Sequence, residues 1–272
     1  MNNLGLRTSE GYIRERGVSI VRKYTDDYVK FISLASVRKS GYELEERYSH
    51  DNQGNLLPLP ERPVCRSEVI NDHKLANNLS RAKQRCFEIA ICNKWDWFFT
   101  GTLSPDYPNR FNLDGYIKDF GQMLRNYNKR FPDYAVRYLL VPEQQKSGAW
   151  HLHGLLTGIC PDHLYLNRNG YRSWKQYDRF GFLSLDEVKT VEGVARYITK
   201  YVTKETGKGI DRNKHSFYCS KGLKKSVVLG RGQFDTRGIA YDFQHEKLCK
   251  VKNLNGQNSI DLFLSGLTLR DC

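Results

Sequence analysis

Residues 148–158 read GAWHLHGLLTG, and the setting of their two histidines decides how the chain folds. His151 and His153 flank one leucine inside an apolar run. Successive side chains on a β-strand point to opposite faces, so the two imidazoles share a face and Leu152 takes the other. Upstream, YAVRYLLVPE (134–143) reads as a second strand. A turn at Lys146-Ser147-Gly148 joins the two as a β-hairpin. That closure sets Glu143 opposite His151. Glu143, His151 and His153 then converge on one side of a sheet and leave coordination positions open, as a catalytic metal site requires. A one-residue slip in register would turn Glu143 to the other face, with Gln144 and Gln145 beside it as alternatives. The same pattern also suits two histidines that are simply hydrogen-bonded within a strand.

The flanking segments supply the frame. KWDWFFTGTLSP (94–105) and RFGFLSLDEVKTV (179–191) read as further strands. From Asn71 to about Cys92, the residues Leu75, Leu79, Ala82, Cys86, Ile89 and Ala90 recur at the three- and four-residue spacing of an amphipathic helix. Tyr116, Ile117, Phe120, Met123, Leu124 and Tyr127 form a second helical stripe over 114–130. Earlier, VSIVRKY (18–24) and YVKFISLASV (28–37) read as short strands interleaved with arginine and lysine, and HDNQGNLLPLPERPVC (50–65) reads as a linker. The expected organisation is a basic β-rich segment and linker over 1–70, a core over 71–225, and a carboxy-terminal extension over 226–272 packed on that core. SVVLG (226–230) and IDLFLSG (260–266) are strand candidates in the extension.

A third helix is expected from Gly193, over GVARYITKYVTKE. Tyr197 and Tyr201 are four residues apart, as are Lys200 and Lys204, so each pair lies one turn apart on one face. A phenol oxygen can attack a phosphodiester and retain the strand as a phosphotyrosine. Neighbouring ammonium groups hold the phosphate or favour the phenolate. The bland alternative makes these tyrosines half-buried anchors of an amphipathic helix.

The formal net charge is +13, which favours a polyanionic partner through counterion release. Seventeen tyrosines and four tryptophans offer aromatic faces on which unpaired bases stack. The seven cysteines form no C-x-x-C pair, so free and mostly buried thiols are expected in place of a disulfide frame or zinc knuckle. No apolar run approaches the ~20 residues that span a bilayer, and the first residues lack a signal-peptide core, which places the protein in the cytoplasm, away from membranes. There is no G-x-x-x-x-G-K-[ST], and hence no helicase or ATPase module of that type.

Taken together, FFTGTL (98–103), HLHG (151–154) and YITKYVTK (197–204) resemble the three motifs of the HUH endonucleases. Within that group the likeness is to rolling-circle replication initiators of the two-tyrosine, phage gene A type. The resemblance runs from about residue 71 to 225. It implies an α+β fold with a five-stranded antiparallel sheet, the H-x-H strand central, and helices alongside. It implies a divalent metal, Mg²⁺ or Mn²⁺, on His151, His153 and Glu143, although ligand softness alone also admits Zn²⁺. It implies catalytic roles for Tyr197, Tyr201, Lys200 and Lys204. Contacts to single-stranded or origin DNA fall to Thr100, Thr102, Arg196, Lys208, Lys221, Lys224 and Lys225. The implied activity nicks one strand at an origin, joins tyrosine to the 5′ phosphate and leaves a 3′-OH that primes synthesis, with host helicase and polymerase acting in trans. Gly101 departs from the bulkier residue often found in the first motif.

Two other functions use the same residues. A two-tyrosine transposase keeps the fold and chemistry. A plasmid relaxase is disfavoured because its tyrosine usually precedes the histidines. A non-catalytic DNA-binding regulator explains the charge but leaves the ligand geometry and the tyrosine pair without a purpose.

Overall fold

The computed structural model describes residues 6–7, 13–39, 48–50, 56–58, 72–202, 215–245 and 249–269. In chain order, β1 (Ser19–Thr25) and β2 (Tyr28–Leu34) come first. Next are α1 (Asp72–Ile91), β3 (Trp97–Leu103), α2 (Leu113–Arg130), β4 (Arg137–Gln144) and β5 (Trp150–Thr157). β6 (Gly181–Glu187), α3 (Val191–Ile198) and β7 (Tyr218–Cys219) follow. The chain ends with β8 (Val227–Gly232), β9 (Phe243–His245), β10 (Cys249–Asn255) and α4 (Gln257–Ser265). No helix among the described residues is long and apolar enough to cross a membrane.

Two compact units divide the chain, one over 70–225 and one built from 1–69 with 226–272. In the first, five strands pair in the order β6-β3-β5-β4-β7, with every pair antiparallel and the histidine strand β5 at the centre. The β4–β5 hairpin closes through Gln145 and Ala149, whose N–H···O bond is 2.9 Å. Gly148 sits at φ +84, the left-handed conformation that the tight return demands and glycine adopts without penalty.

The two faces of this sheet do different work. Phe99, Leu103, Leu140, Leu152 and Leu156 join Tyr116, Phe120, Met123 and Leu124 of α2 in an aromatic-rich core. Each fully buried phenylalanine or leucine there contributes about 1.5–3 kcal/mol. Gly101 of β3 belongs to this face: a Cβ there would collide with the Tyr177 hydroxyl and lie 2.8 Å from its Cζ. Tyr177 in turn shares a 2.5 Å hydroxyl contact with Tyr116 in the dry interior. The glycine in the first motif is therefore the space a buried tyrosine pair occupies, and the β3 register against β5 is unbroken. On the opposite face, which carries the histidines, α1 and α3 pack against each other.

The second unit holds another five-stranded antiparallel sheet, in the order β8-β1-β2-β10-β9. Val21, Val29, Phe31 and Leu254 bury one face against Ile260 of α4. Where sequence treats 1–70 and 226–272 as separate pieces, strand pairing joins them: β8 adds to β1 and β10 adds to β2. Such long-range pairing leaves no local signature. IDLFLSG, expected as a strand, lies in α4 and its end. Its apolar residues Ile260, Phe263, Leu264 and Leu267 repeat at three and four, and those side chains pack on the sheet.

The third helix also departs from expectation. α3 stops at Ile198, and Thr199–Tyr201 form one 3₁₀ turn instead of continuing an α-helix to 205. Thr199 Oγ1 donates to the Arg196 carbonyl at 2.7 Å, a side-chain bond that competes with the helix ladder. Cys86, Cys92 and Cys160 are buried free thiols, and Cys219 and Cys249 are free and partly exposed.

Candidate active site

The hairpin register places Glu143 directly opposite His151, and Val141 opposite His153. On the other side of β5, Thr102 faces His151 and Thr100 faces His153. Alternation thus gathers Glu143, His151, His153, Thr100 and Thr102 on one surface of the sheet. His153 is only 6 % exposed. Its Nε2 lies 2.8 Å from Glu143 Oε2, and its Nδ1 lies 3.4 Å from Thr100 Oγ1. His151 Nε2 lies 2.7 Å from the amide nitrogen of Gln145. With that amide donating, His151 Nε2 is the acceptor.

Burial holds both imidazoles below the usual histidine range, and the neighbouring Glu143 carboxylate only partly opposes it. The His153–Glu143 contact is therefore a hydrogen bond from a neutral ring, not an ion pair. Neutral imidazole is the form that ligates metals.

The tyrosines arrive on the same surface from α3 and its 3₁₀ turn. The Tyr201 ring stacks on His153 at 3.7 Å between centroids and 17° between planes. Tyr201 donates its hydroxyl hydrogen to the Tyr197 hydroxyl at 2.9 Å. Tyr197 is 42 % exposed. Burial, and then the bond to Tyr197, push the Tyr201 phenol well above the usual tyrosine range. Lys200 Nζ lies 5.2 Å from the centre of the Tyr197 ring. Two phenol oxygens, an ammonium group and two neutral imidazoles thus share one site.

Phe98 completes it, and sequence reasoning passed over this residue. Its ring meets Tyr197 at 5.1 Å, Tyr201 at 6.3 Å and His153 at 6.4 Å. The available signal was its place two residues before Thr100, hence on the same strand face.

The remaining candidates lie elsewhere. Arg196 is exposed on α3. Lys221, Lys224 and Lys225 are exposed on the segment after β7. Asn93, just beyond α1, fixes that segment by accepting from Lys224 N at 2.9 Å and donating to Lys224 O at 3.0 Å. Lys204 and Lys208 fall outside the described residues.

No group of three or more His, Cys, Asp or Glu among the described residues is placed to hold a metal ion. Glu143 is engaged by His153, and His151 by Gln145. By donor chemistry the set nevertheless fits a divalent cation: two neutral imidazoles, a carboxylate and the Gln145 amide oxygen lie together. Binding there replaces the mutual bonds these side chains now make.

Residues 96–206 match the family model of replication-associated proteins that takes in ORF2 and the gene II protein. The matched stretch contains FFTGTL, HLHG and YITKYVTK, and it supports a replication initiator of the Rep type. The comparisons with curated proteins and with solved structures give no match.

Proposed function

We propose that this chain is a metal-dependent, site-specific single-strand DNA endonuclease and strand transferase that initiates rolling-circle replication. One observation carries this reading: a tyrosine pair, its hydroxyls 2.9 Å apart, rests on a histidine that shares its strand face with a second histidine and a glutamate. A structural anchor would bury both phenols. Here Tyr197 is exposed, beside a lysine.

The step is a transesterification. A tyrosine oxygen forms a bond to the scissile phosphorus, and the bond from phosphorus to the 3′ oxygen breaks. The phenol gives up its proton, and the departing 3′ oxygen takes one up to become a 3′-OH. The 5′ phosphate stays on tyrosine, so the phosphodiester energy is kept for a later joining step. The second phenol supports a second cleavage, which transfers the strand without hydrolysis. Tyr201 is pinned by its stack on His153 and directs its hydroxyl at Tyr197, which holds the pair in register. Lys200 offers a positive charge for the phosphate or the developing phenolate. Thr100 and Thr102 line the strand beside the histidines. Mg²⁺ or Mn²⁺ held by His151, His153 and Glu143 would polarise the phosphate. The core over 71–225 performs this chemistry, residues 1–70 and 226–272 add basic surface for DNA, and host helicase and polymerase act in trans in the cytoplasm.

The test is a covalent-adduct assay. Protein, Mn²⁺ and single-stranded oligonucleotides tiling candidate origins are mixed, and a denaturant-stable protein–DNA species is sought on a gel. The adduct is expected to disappear in the Tyr197→Phe/Tyr201→Phe double variant and in His153→Ala. No adduct under any metal, or an adduct that survives loss of both tyrosines, rules out the mechanism. DNA binding that persists without nicking points to the regulator instead.

A further inference from the structure

A cleft of about 650 Å³ opens at the β7 edge of the histidine sheet, well within the size range of small-molecule sites. Arg85 of α1, Tyr138 of β4 and the run His215 to Cys219 line it. The His215 and Tyr218 rings meet edge to face at 5.8 Å. Arg85 and His215 are exposed, while Tyr138, Phe217, Tyr218 and Cys219 are half-buried. Lys225 also lies close: burial pushes the Cys219 thiol up, and the charges of Lys225 and Arg85 pull it back. Aromatic faces for a base thus stand beside two cations for a phosphate. None of the catalytic side chains belongs to this cleft.

Its position links it to the site. Tyr138 and Glu143 lie on the same strand, five residues apart. At about 3.4 Å per residue this is roughly 17 Å. Even at the duplex rise of about 3.4 Å per nucleotide, a single strand crosses that gap in about five nucleotides, and an extended strand needs fewer. The segment carrying Lys224 is tied down by Asn93, so one wall is held before any ligand arrives.

We propose that this cleft is a nucleotide-binding subsite that captures one unpaired base of the DNA strand a few nucleotides from the scissile phosphate. The base stacks among Phe217, Tyr218 and His215, and Arg85 with Lys225 takes the adjoining phosphate. Stacking is tolerant of base identity, so the subsite grips the strand without reading its sequence. The choice of DNA as the ligand rests on the nickase reading above.

The test separates the two. Full-length Tyr197→Phe/Tyr201→Phe protein, without metal, is given a short oligo(dT) bearing 5-iododeoxyuridine, irradiated, and its crosslinks are mapped by mass spectrometry. Crosslinks are expected at Tyr138, His215, Phe217 or Tyr218. The same oligonucleotide is expected to slow iodoacetamide labelling of Cys219 at least about fivefold, while Cys249 in the other unit labels unchanged. Arg85→Ala should reduce the slope of log affinity against log salt by roughly 0.7, the value of one single-strand phosphate contact. Phe217→Ala should weaken binding about five- to one-hundred-fold. Failure to bind oligo(dT), crosslinks confined to other residues, or a Cys219 rate that ignores bound DNA each overturns the subsite. None of these outcomes affects the adduct assay, which stands or falls on the tyrosines alone.

Discussion

Replacing Gly154 by alanine tests how the histidine strand is held. Gly154 follows His153 in the middle strand of the sheet, paired to Phe99 on one side and Leu140 on the other. A Cβ at this position would collide with the Phe99 ring, lie 2.6 Å from its Cζ and lie 2.5 Å from the Leu139 carbonyl oxygen. Phe99 and Leu139 are both fully buried, and the carbonyl is backbone in the adjacent strand. Neither can yield without shifting the sheet. Overpacking of this kind costs about 1–3 kcal/mol. For a unit of this size each kcal/mol moves the melting midpoint by about 2–4 °C, so a fall of about 2–12 °C is expected. The same substitution at Gly121 of α2 should act in the opposite direction. Its Cβ meets only Arg125 Nη1, at 3.4 Å, on a flexible side chain. Alanine gains about 1 kcal/mol over glycine within a helix, a rise of about 2–4 °C. Tryptophan fluorescence is the natural probe, because Trp95, Trp97, Trp150 and Trp174 all lie in the 70–225 unit. Gly154→Ala should also weaken adduct formation, since the shifted strand carries His153. A Gly154→Ala midpoint equal to wild type, or two variants that move the same way, would refute this account of the motif.

Two further outcomes follow from hydrogen bonds away from the tyrosines. Tyr107 donates to Asp119 at 2.6 Å, which with Asn109 lowers the Asp119 carboxyl below its usual 3.8, while burial and then the Asp119 bond raise the Tyr107 phenol from 10.0 to about 12. A lowered carboxylate stabilises above 3.8 and loses that contribution as pH falls through the folded value; a raised phenol stabilises below 10 and loses it as pH climbs towards about 12. The urea-midpoint gap between wild type and Tyr107→Phe should therefore be widest between about pH 4 and pH 10 and narrow on both sides, and a gap that does not vary with pH contradicts the bond. Asn93→Ala removes the two bonds to Lys224 and one to the Ile89 carbonyl. At about 0.5–1.5 kcal/mol per bond, the 221–225 segment should open readily. Faster tryptic cleavage there and weaker oligo(dT) anisotropy are expected, and an unchanged cleavage rate counts against the clamp.

The centre of the site was legible because its information is local. Alternation along HLHG and a three-residue turn suffice to set Glu143 across from His151, since strand periodicity and hairpin closure act over a dozen residues. The amphipathic stripes of α1 and α2 were legible for the same reason. Gly101 looked like a departure because its purpose lies elsewhere in sequence, in the Tyr177 ring that fills the space. Phe98 carried no mark that distinguished it from any strand aromatic until three rings were found around it. The end of α3 depended on the competition between Thr199 and the helix ladder, which propensity does not resolve.

The sequence by itself determined which residue types sit on the histidine face and how the hairpin is registered, because those follow from covalent spacing and backbone geometry. Only the tertiary structure decided that Tyr201 lies flat on His153, that its hydroxyl is given to Tyr197, and that the chain's two ends share one sheet. The stack and the shared sheet join residues tens to hundreds of positions apart. Their geometry is set by packing between elements, and no local spacing encodes it.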